Sequence, residues 1–172
     1  MACDITLGRL EPCKNAVGGL IAAYFINYGD ITGFTYDGDM ITTVTGSPTA
    51  YKYDLRGTNS FDQTITSSRE NGTTFFDQSL KLQLKNLTPV MNNQVKLLSY
   101  GRPQIIIEDN NGNLFLAGLQ HGMEVTGGTI VTGTAMGDLS GYTLEFKGME
   151  KVPANFFADT LQDVGFTIVE GA

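Results

Sequence analysis

The sequence predicts a mainly β protein, a β-sandwich or small barrel with one flanking α-helix at about residues 89–100. Three stretches indicate this class. Residues 73–85 alternate apolar and polar side chains, as a strand with one buried face does. Residues 104–117 form two apolar runs around an Asn-Gly pair, which accepts the positive φ angles of a tight hairpin turn. Between them, residues 88–101 carry the start and stop signals of a single helix.

The first part of the chain reads as strands separated by turns. Residues 20–26 are almost continuously apolar, which favours a strand buried on both faces. Residues 29–49 are rich in Gly, Asp and Thr and predict a long assembly loop or exposed hairpin, with a turn at Asp37-Gly38. Residues 50–56 and 61–66 then alternate in the manner of half-buried strands.

The strand at 73–85 and the helix after it are expected to pack together. The inward face of the strand consists of alternate side chains, namely Phe76, Gln78, Leu80, Leu82 and Leu84. The helix starts with a threonine N-cap and a proline at its first position, where proline sacrifices no hydrogen bond. Its apolar stripe includes Val95 and Leu98, which we expect to contact Phe76, Leu80 and Leu82.

The later segments complete a single-domain organisation for residues 1–172. Residues 127–133 and 142–146 predict two more strands, the first interrupted by glycines. Residues 1–18 have no clear period and are interpreted as an N-terminal arm. Residues 153–172 are interpreted as a C-terminal arm, whose apolar end is either a last strand or a tail that adds to another subunit.

The amino-acid composition excludes some classes of function. The net charge is −7, from 11 basic and 18 acidic residues, so the basic footprint of a nucleic-acid-binding protein is missing. Only 17% of the residues are charged. This low fraction suits a surface covered by other protein, and it equally suits a β-rich composition. No apolar run is long enough for a membrane span, and the first residues predict no secretory signal.

The sequence contains no recognisable catalytic, cofactor or metal-binding group. His121 is the only histidine, which we interpret as an ordinary residue at a strand end. Ser140 lacks the flanking glycine spacing of a nucleophile elbow. Glu108 and Asp109 fall on opposite faces of a strand, which weakens them as an acid–base pair. We therefore expect no enzyme, no cofactor and no metal.

The order of strand, helix, hairpin and strand resembles structural proteins of tailed bacteriophages, most closely those that form tail tubes or tail rings. The segments that carry the likeness are IIIEDNNG at 105–112 and GTAMGDLSGYTLEF at 133–146. The opening MACDITLGRLEPCK at 1–14 is similar to virion proteins of phages that infect Bacteroidetes bacteria. The resemblance as a whole is a general likeness that covers most of the chain.

The resemblance implies a non-enzymatic virion protein of the tail, assembled in the cytoplasm of the bacterial host. Such proteins form hexameric rings that stack, contact other tail proteins and let phage DNA pass through the lumen without specific binding. An acidic wall would repel phosphates and permit sliding. A head–tail connector ring remains open as an alternative. So does a receptor- or glycan-binding module of a tail fibre or hub, on the basis of Tyr36, Tyr51 and Tyr53.

Residues 29–49 are the expected assembly segment. Their glycines give flexibility, while the scattered apolar side chains favour contact with a partner surface. The candidate contact residues are Phe34, Tyr36, Met40 and Ile41. We expect this segment and the two ends of the chain to be mobile in the free subunit and ordered in the assembly. Because the predicted sandwich strands and helix lie elsewhere, deletion of residues 32–44 should leave a folded domain that no longer stacks.

Overall fold

The computed structural model describes residues 3–171, which form twelve strands and two helices. The strands are β1 (Leu20–Ile26), β2 (Gly33–Asp37), β3 (Met40–Thr45), β4 (Thr49–Asp54), β5 (Ser60–Ser68), β6 (Thr73–Lys85), β7 (Gln104–Asp109), β8 (Leu114–Ala117), β9 (Glu124–Val131), β10 (Gly141–Glu150), β11 (Asn155–Phe156) and β12 (Thr167–Glu170). The helices are α1 (Pro89–Tyr100) and α2 (Leu161–Val164). The predicted class, mainly β with a helix at 89–100, is confirmed.

The strands form three sheets. A six-stranded sheet has the order β11-β8-β7-β1-β4-β12, a four-stranded sheet has the order β5-β6-β10-β9, and β2 pairs with β3. Neighbouring strands are antiparallel except for β12, which runs parallel to β4. The two larger sheets pack face to face as a sandwich, and the described residues do not close into a barrel.

The first core lies between the two large sheets. Phe25 of β1 meets Phe146 of β10 with 5.5 Å between ring centroids. On β6 the predicted alternation is confirmed, because Gln78, Leu80 and Leu82 are all buried. The other buried members from the strands are Leu20, Ala23, Ile105, Ile107, Ala117, Tyr142 and Leu144.

Helix α1 packs against this core beside β9. The hydroxyl of Thr88 accepts a hydrogen bond from the Met91 N–H at 3.1 Å, as expected of an N-cap. Val95 is buried, and the half-buried Leu98 packs against the same cluster that contains Leu80 and Leu82. The expected contact with Phe76 is wrong. Phe76 is half-buried outside that cluster, because it pairs with the last residue of β10, where β6 leaves the sandwich.

The second core lies on the opposite face of the six-stranded sheet. Ala22, Tyr24 and Ile26 of β1 point to this side, so the prediction that this strand is buried on both faces is confirmed. The side chains that cover them come from the β2–β3 hairpin and from the C-terminal segment. They are Ile41, Val44, Phe157, Leu161, Val164 and Phe166.

The C-terminal segment differs from the expected arm at 153–172. Its apolar side chains cover the second face of the central sheet, so residues 154–170 are part of the folded body. Strand β12 pairs with β4 of its own chain, so the tail is a last strand of the subunit's own sheet. The four-residue helix α2 was not predicted from the sequence.

Residues 3–18 contain no helix or strand and are exposed throughout. The root of this N-terminal segment is bonded to the β7–β8 turn. The Val17 N–H donates to Asn111 Oδ1 at 2.9 Å, and Asn111 Nδ2 donates back to the Val17 carbonyl at 2.7 Å. Asn110 Nδ2 donates to the Gly18 carbonyl at 2.6 Å. Residues 1, 2 and 172, which belong to the expected arms, lie outside the described residues.

We expect Val95→Ala to lower the free energy of unfolding by about 2 kcal/mol, because it removes two buried methyl groups and leaves a small cavity. Val90→Ala is the matched control on the same helix, since Val90 is 68% exposed. The control should change stability by less than about 0.5 kcal/mol. Urea unfolding followed by circular dichroism measures both. Equal effects of the two substitutions would contradict the packing described for α1.

Candidate assembly surfaces

The β2–β3 hairpin carries all four residues proposed from the sequence for assembly, but it presents only part of them to solvent. Tyr36 and Met40 are 45% and 42% exposed. Phe34 is half-buried and packs against the second core, with its ring centroid 6.1 Å from that of Tyr36. Ile41 is fully buried. The expectation that Ile41 meets a partner is therefore wrong, because this side chain already fills the second core.

Hydrogen bonds to the C-terminal segment hold this hairpin on the sheet. Asn155 Nδ2 donates to the Asp39 carbonyl at 2.9 Å, and the Ala158 N–H donates to the Ile41 carbonyl at 3.0 Å. Deletion of residues 32–44 would remove Ile41 and Val44 from the core and expose Tyr24 and Ile26 of the central strand. The expectation that this deletion leaves a folded domain is therefore corrected. Tyr36 and Met40 remain as candidate surface residues.

A different hairpin, β5–β6, projects from the sandwich. Strand β6 pairs with β10 only as far as Phe76, whereas it pairs with β5 as far as Thr73. The tip is therefore a two-stranded ribbon with exposed backbone edges, and its side chains are mostly exposed, including Ile65 at 67%. The Ser67 and Thr74 hydroxyl oxygens lie 2.9 Å apart across it. The sequence predicted strands here but not the projection, because the projection follows from where β10 ends and not from the residues of the hairpin.

The four-stranded sheet ends in two strands without a further neighbour among the described residues, β5 on one side and β9 on the other. Open edges of this kind are able to pair with another chain. The outer face of the sheet is polar, with Lys81 and Glu145 forming an ion pair at 4.0 Å. By strand parity its charged side chains are Asp62, Asp77, Lys81, Lys85, Glu124, Glu145 and Lys147.

A cleft of about 520 Å³ lies between α1 and the strands β1 and β4. Its walls include Tyr51 and Tyr53 from β4 and Leu97 from α1. The guanidinium of Arg102 stacks on the Tyr28 ring, with 3.9 Å from Cζ to the ring centroid. The structure thus brings together two of the three tyrosines proposed for glycan binding. The third, Tyr36, lies apart from them on the β2–β3 hairpin.

The polar residues weighed as catalytic candidates have structural contacts. The backbone N–H of His121 donates to the buried carboxylate of Glu150 at 2.9 Å. Asp109 Oδ1 accepts from the N–H groups of Asn111 and Asn113, each at 2.9 Å, and so closes the predicted β7–β8 turn. Among residues 3–171 no group of three or more His, Cys, Asp or Glu side chains is placed to hold a metal ion. Within the same residues no helix is long and apolar enough to cross a membrane.

Tyr24, a member of the second core, forms a hydrogen bond with Glu108. The Tyr24 hydroxyl donates to Glu108 Oε2 at 3.2 Å. Burial, reinforced by the charge of Glu108, raises the pKa of Tyr24 from 10.0 to about 12. The phenol therefore stays neutral in the folded protein under conditions in which it ionises in the unfolded chain.

Comparison with protein-family models, with curated proteins and with solved structures gave no significant match.

We expect Ile41→Ala to lower the free energy of unfolding by about 2–5 kcal/mol, because it empties a fully buried position. Met40→Ala, at the neighbouring and 42% exposed position, should cost less than about 1 kcal/mol. Thermal or urea unfolding compares the two variants. A loss at Met40 as large as that at Ile41 would contradict the assignment of the hairpin to the second core.

The raised pKa of Tyr24 predicts a loss of stability in alkaline solution. The unfolded chain releases the phenolic proton near pH 10 and the folded chain near pH 12, so this contribution is complete below pH 10 and disappears as the pH rises towards 12. Tyr24→Phe should decline less steeply over that interval. Unfolding curves at several pH values, with Tyr100→Phe at an 81% exposed position as control, measure the difference. Parallel pH profiles for wild type and Tyr24→Phe would refute it.

Proposed function

We propose that this chain is a non-enzymatic building block of a bacteriophage tail that forms a ring or stacked tube around a channel for DNA. The proposal rests on the resemblance seen in the sequence. The single structural observation that supports it is a folded sandwich whose four-stranded sheet is open at both edges, β5 and β9.

Two unlike open edges on one sheet suit ring formation. When β9 of one subunit pairs with β5 of the next, the contact is heterologous, and a suitable rotation closes the chain of subunits into a ring. The projecting tip of β5–β6 lengthens one of the two edges. Six copies would form a hexameric ring with these sheets joined edge to edge. We place the outer face of the four-stranded sheet towards the channel.

The charges on that outer face suit a passage that does not retain DNA. The face has three basic residues, Lys81, Lys85 and Lys147, and four acidic residues, so its net charge is −1. A surface with nearly cancelling charges offers no continuous row of cations to phosphate groups. This refines the sequence-based picture of an acidic wall, because most of the net charge of −7 lies elsewhere on the subunit.

Sedimentation and negative-stain electron microscopy of the purified protein test the proposal. We expect rings of sixfold symmetry with a central channel, and the same protein in purified phage particles. A protein that stays monomeric at high concentration and is missing from phage particles would refute the proposal. Twelvefold rings would instead indicate a connector near the head, and threefold particles a fibre or spike.

Edge pairing predicts an effect of Ile65→Lys, which places a charge on the exposed part of β5. We expect this variant to weaken ring formation about tenfold or more, equivalent to about 1.4 kcal/mol per contact. Met136→Lys is the control, since Met136 is a fully exposed residue in the loop between β9 and β10. Unchanged rings in Ile65→Lys would exclude β5 as the paired edge.

A further inference from the structure

The sequence contains two Asn-Gly pairs, Asn71-Gly72 and Asn111-Gly112, and each lies in the turn of a hairpin. An asparagine in such a pair can react with its own backbone, because the nitrogen of the next residue is able to attack the side-chain carbon Cγ. Glycine favours this attack, since it has no Cβ in the way and adopts a wide range of backbone angles. The two pairs therefore share one reactivity, and their surroundings decide whether the reaction proceeds.

The reaction at Asn111 needs no co-reactant other than water. The backbone nitrogen of Gly112 loses its proton and bonds to Cγ of Asn111, and the side-chain amide leaves as ammonia. Water then opens the resulting cyclic imide at either of its carbonyl carbons. The products are aspartate and isoaspartate, and both carry a negative charge that the asparagine lacked.

The side chain of Asn71, at the tip of the β5–β6 ribbon, is exposed and forms no hydrogen bond within the described residues. A Cβ built on Gly72 would meet no atom within 4 Å. The Asn71 amide can therefore rotate towards the next backbone nitrogen without breaking a contact. This pair is the unprotected reference within the same molecule.

Asn111 has the opposite surroundings, because both ends of its amide are hydrogen-bonded to the root of the N-terminal segment. Its Oδ1 accepts the Val17 N–H at 2.9 Å, and its Nδ2 donates to the Val17 carbonyl at 2.7 Å. The attacking group is engaged as well, since the Gly112 N–H donates to the Asp109 carbonyl at 3.2 Å. Ring closure requires these bonds to break first, so the bound segment shields Asn111.

We propose that Asn111 is a modification site controlled by the N-terminal segment: it deamidates while the segment is detached at Val17, and the product then weakens rebinding. An asparagine side chain both accepts and donates hydrogen bonds, whereas a carboxylate only accepts them. The Val17 carbonyl would face a charged oxygen where Nδ2 now lies at 2.7 Å, and two acceptors at that distance repel each other. The inference concerns the single subunit and does not depend on ring formation.

Mass spectrometry of peptides from the full-length protein, after incubation in mildly alkaline buffer, measures both sites in one sample. In the wild type we expect Asn111 to deamidate at least about tenfold more slowly than Asn71, since its hydrogen bonds must break first. Val17→Pro removes the N–H that bonds to Oδ1 and should bring the rate at Asn111 close to that at Asn71. Val17→Ala is the matched control, because it keeps both backbone groups and should leave Asn111 protected.

Equal rates at the two sites in the wild type would overturn the inference, as would an unchanged rate at Asn111 in Val17→Pro. The effect of the product is measured with Asn111→Asp, which reproduces the aspartate form. We expect the amide hydrogens of residues 17–19 to exchange about tenfold faster in this variant than in the wild type. Asn71→Asp, the same change at the ribbon tip, should leave their exchange unaltered. Wild-type exchange at these residues in Asn111→Asp would refute the proposed loss of rebinding.

Discussion

The structure depends on one constraint, the burial of strand β1 on both faces. Ala23 and Phe25 point into the sandwich, and Tyr24 and Ile26 point to the opposite side. A sheet built on such a strand needs a cover on each side, because an exposed apolar face of this size is unfavourable in water. The four-stranded sheet supplies the first cover. The second is assembled from two separate parts of the chain, the β2–β3 hairpin and residues 154–170.

Buried polar groups on the two inner strands of the four-stranded sheet bond to the turn that follows β8. Gln78 Oε1 accepts the Gly118 N–H at 2.9 Å, and Glu150 Oε1 accepts the Gln120 N–H at 3.1 Å. Both acceptors lie in the four-stranded sheet, and both donors lie in the turn that leaves β8. These contacts satisfy backbone groups that the sandwich would otherwise bury without partners. These buried polar side chains therefore stabilise the fold by bonding to backbone groups of the opposite sheet.

Local patterns predicted the elements whose formation depends on neighbours in sequence. The Thr88 cap and the glycine after residue 100 set the bounds of α1, and alternation set the inward face of β6. The second cover was not predictable in this way. Ile41 and Val44 lie among threonines and glycines, so nothing in their surroundings distinguishes a hairpin folded onto the sheet from one that projects. The projection of β5–β6 was equally hidden, because it follows from where β10 ends and not from the residues of the hairpin itself.

The use of two chain segments as the second cover decides which surfaces remain for partners. The β2–β3 hairpin and the C-terminal segment are hydrogen-bonded to each other through Asn155 and Ala158. Neither segment can move to another subunit without exposing Tyr24 and Ile26 to solvent. No side chain of the second core comes from the edge strands β5 and β9 or from residues 3–18. Pairing through these two edges requires no unfolding of the subunit. In the proposed ring, the paired surfaces are thus already folded in the free subunit.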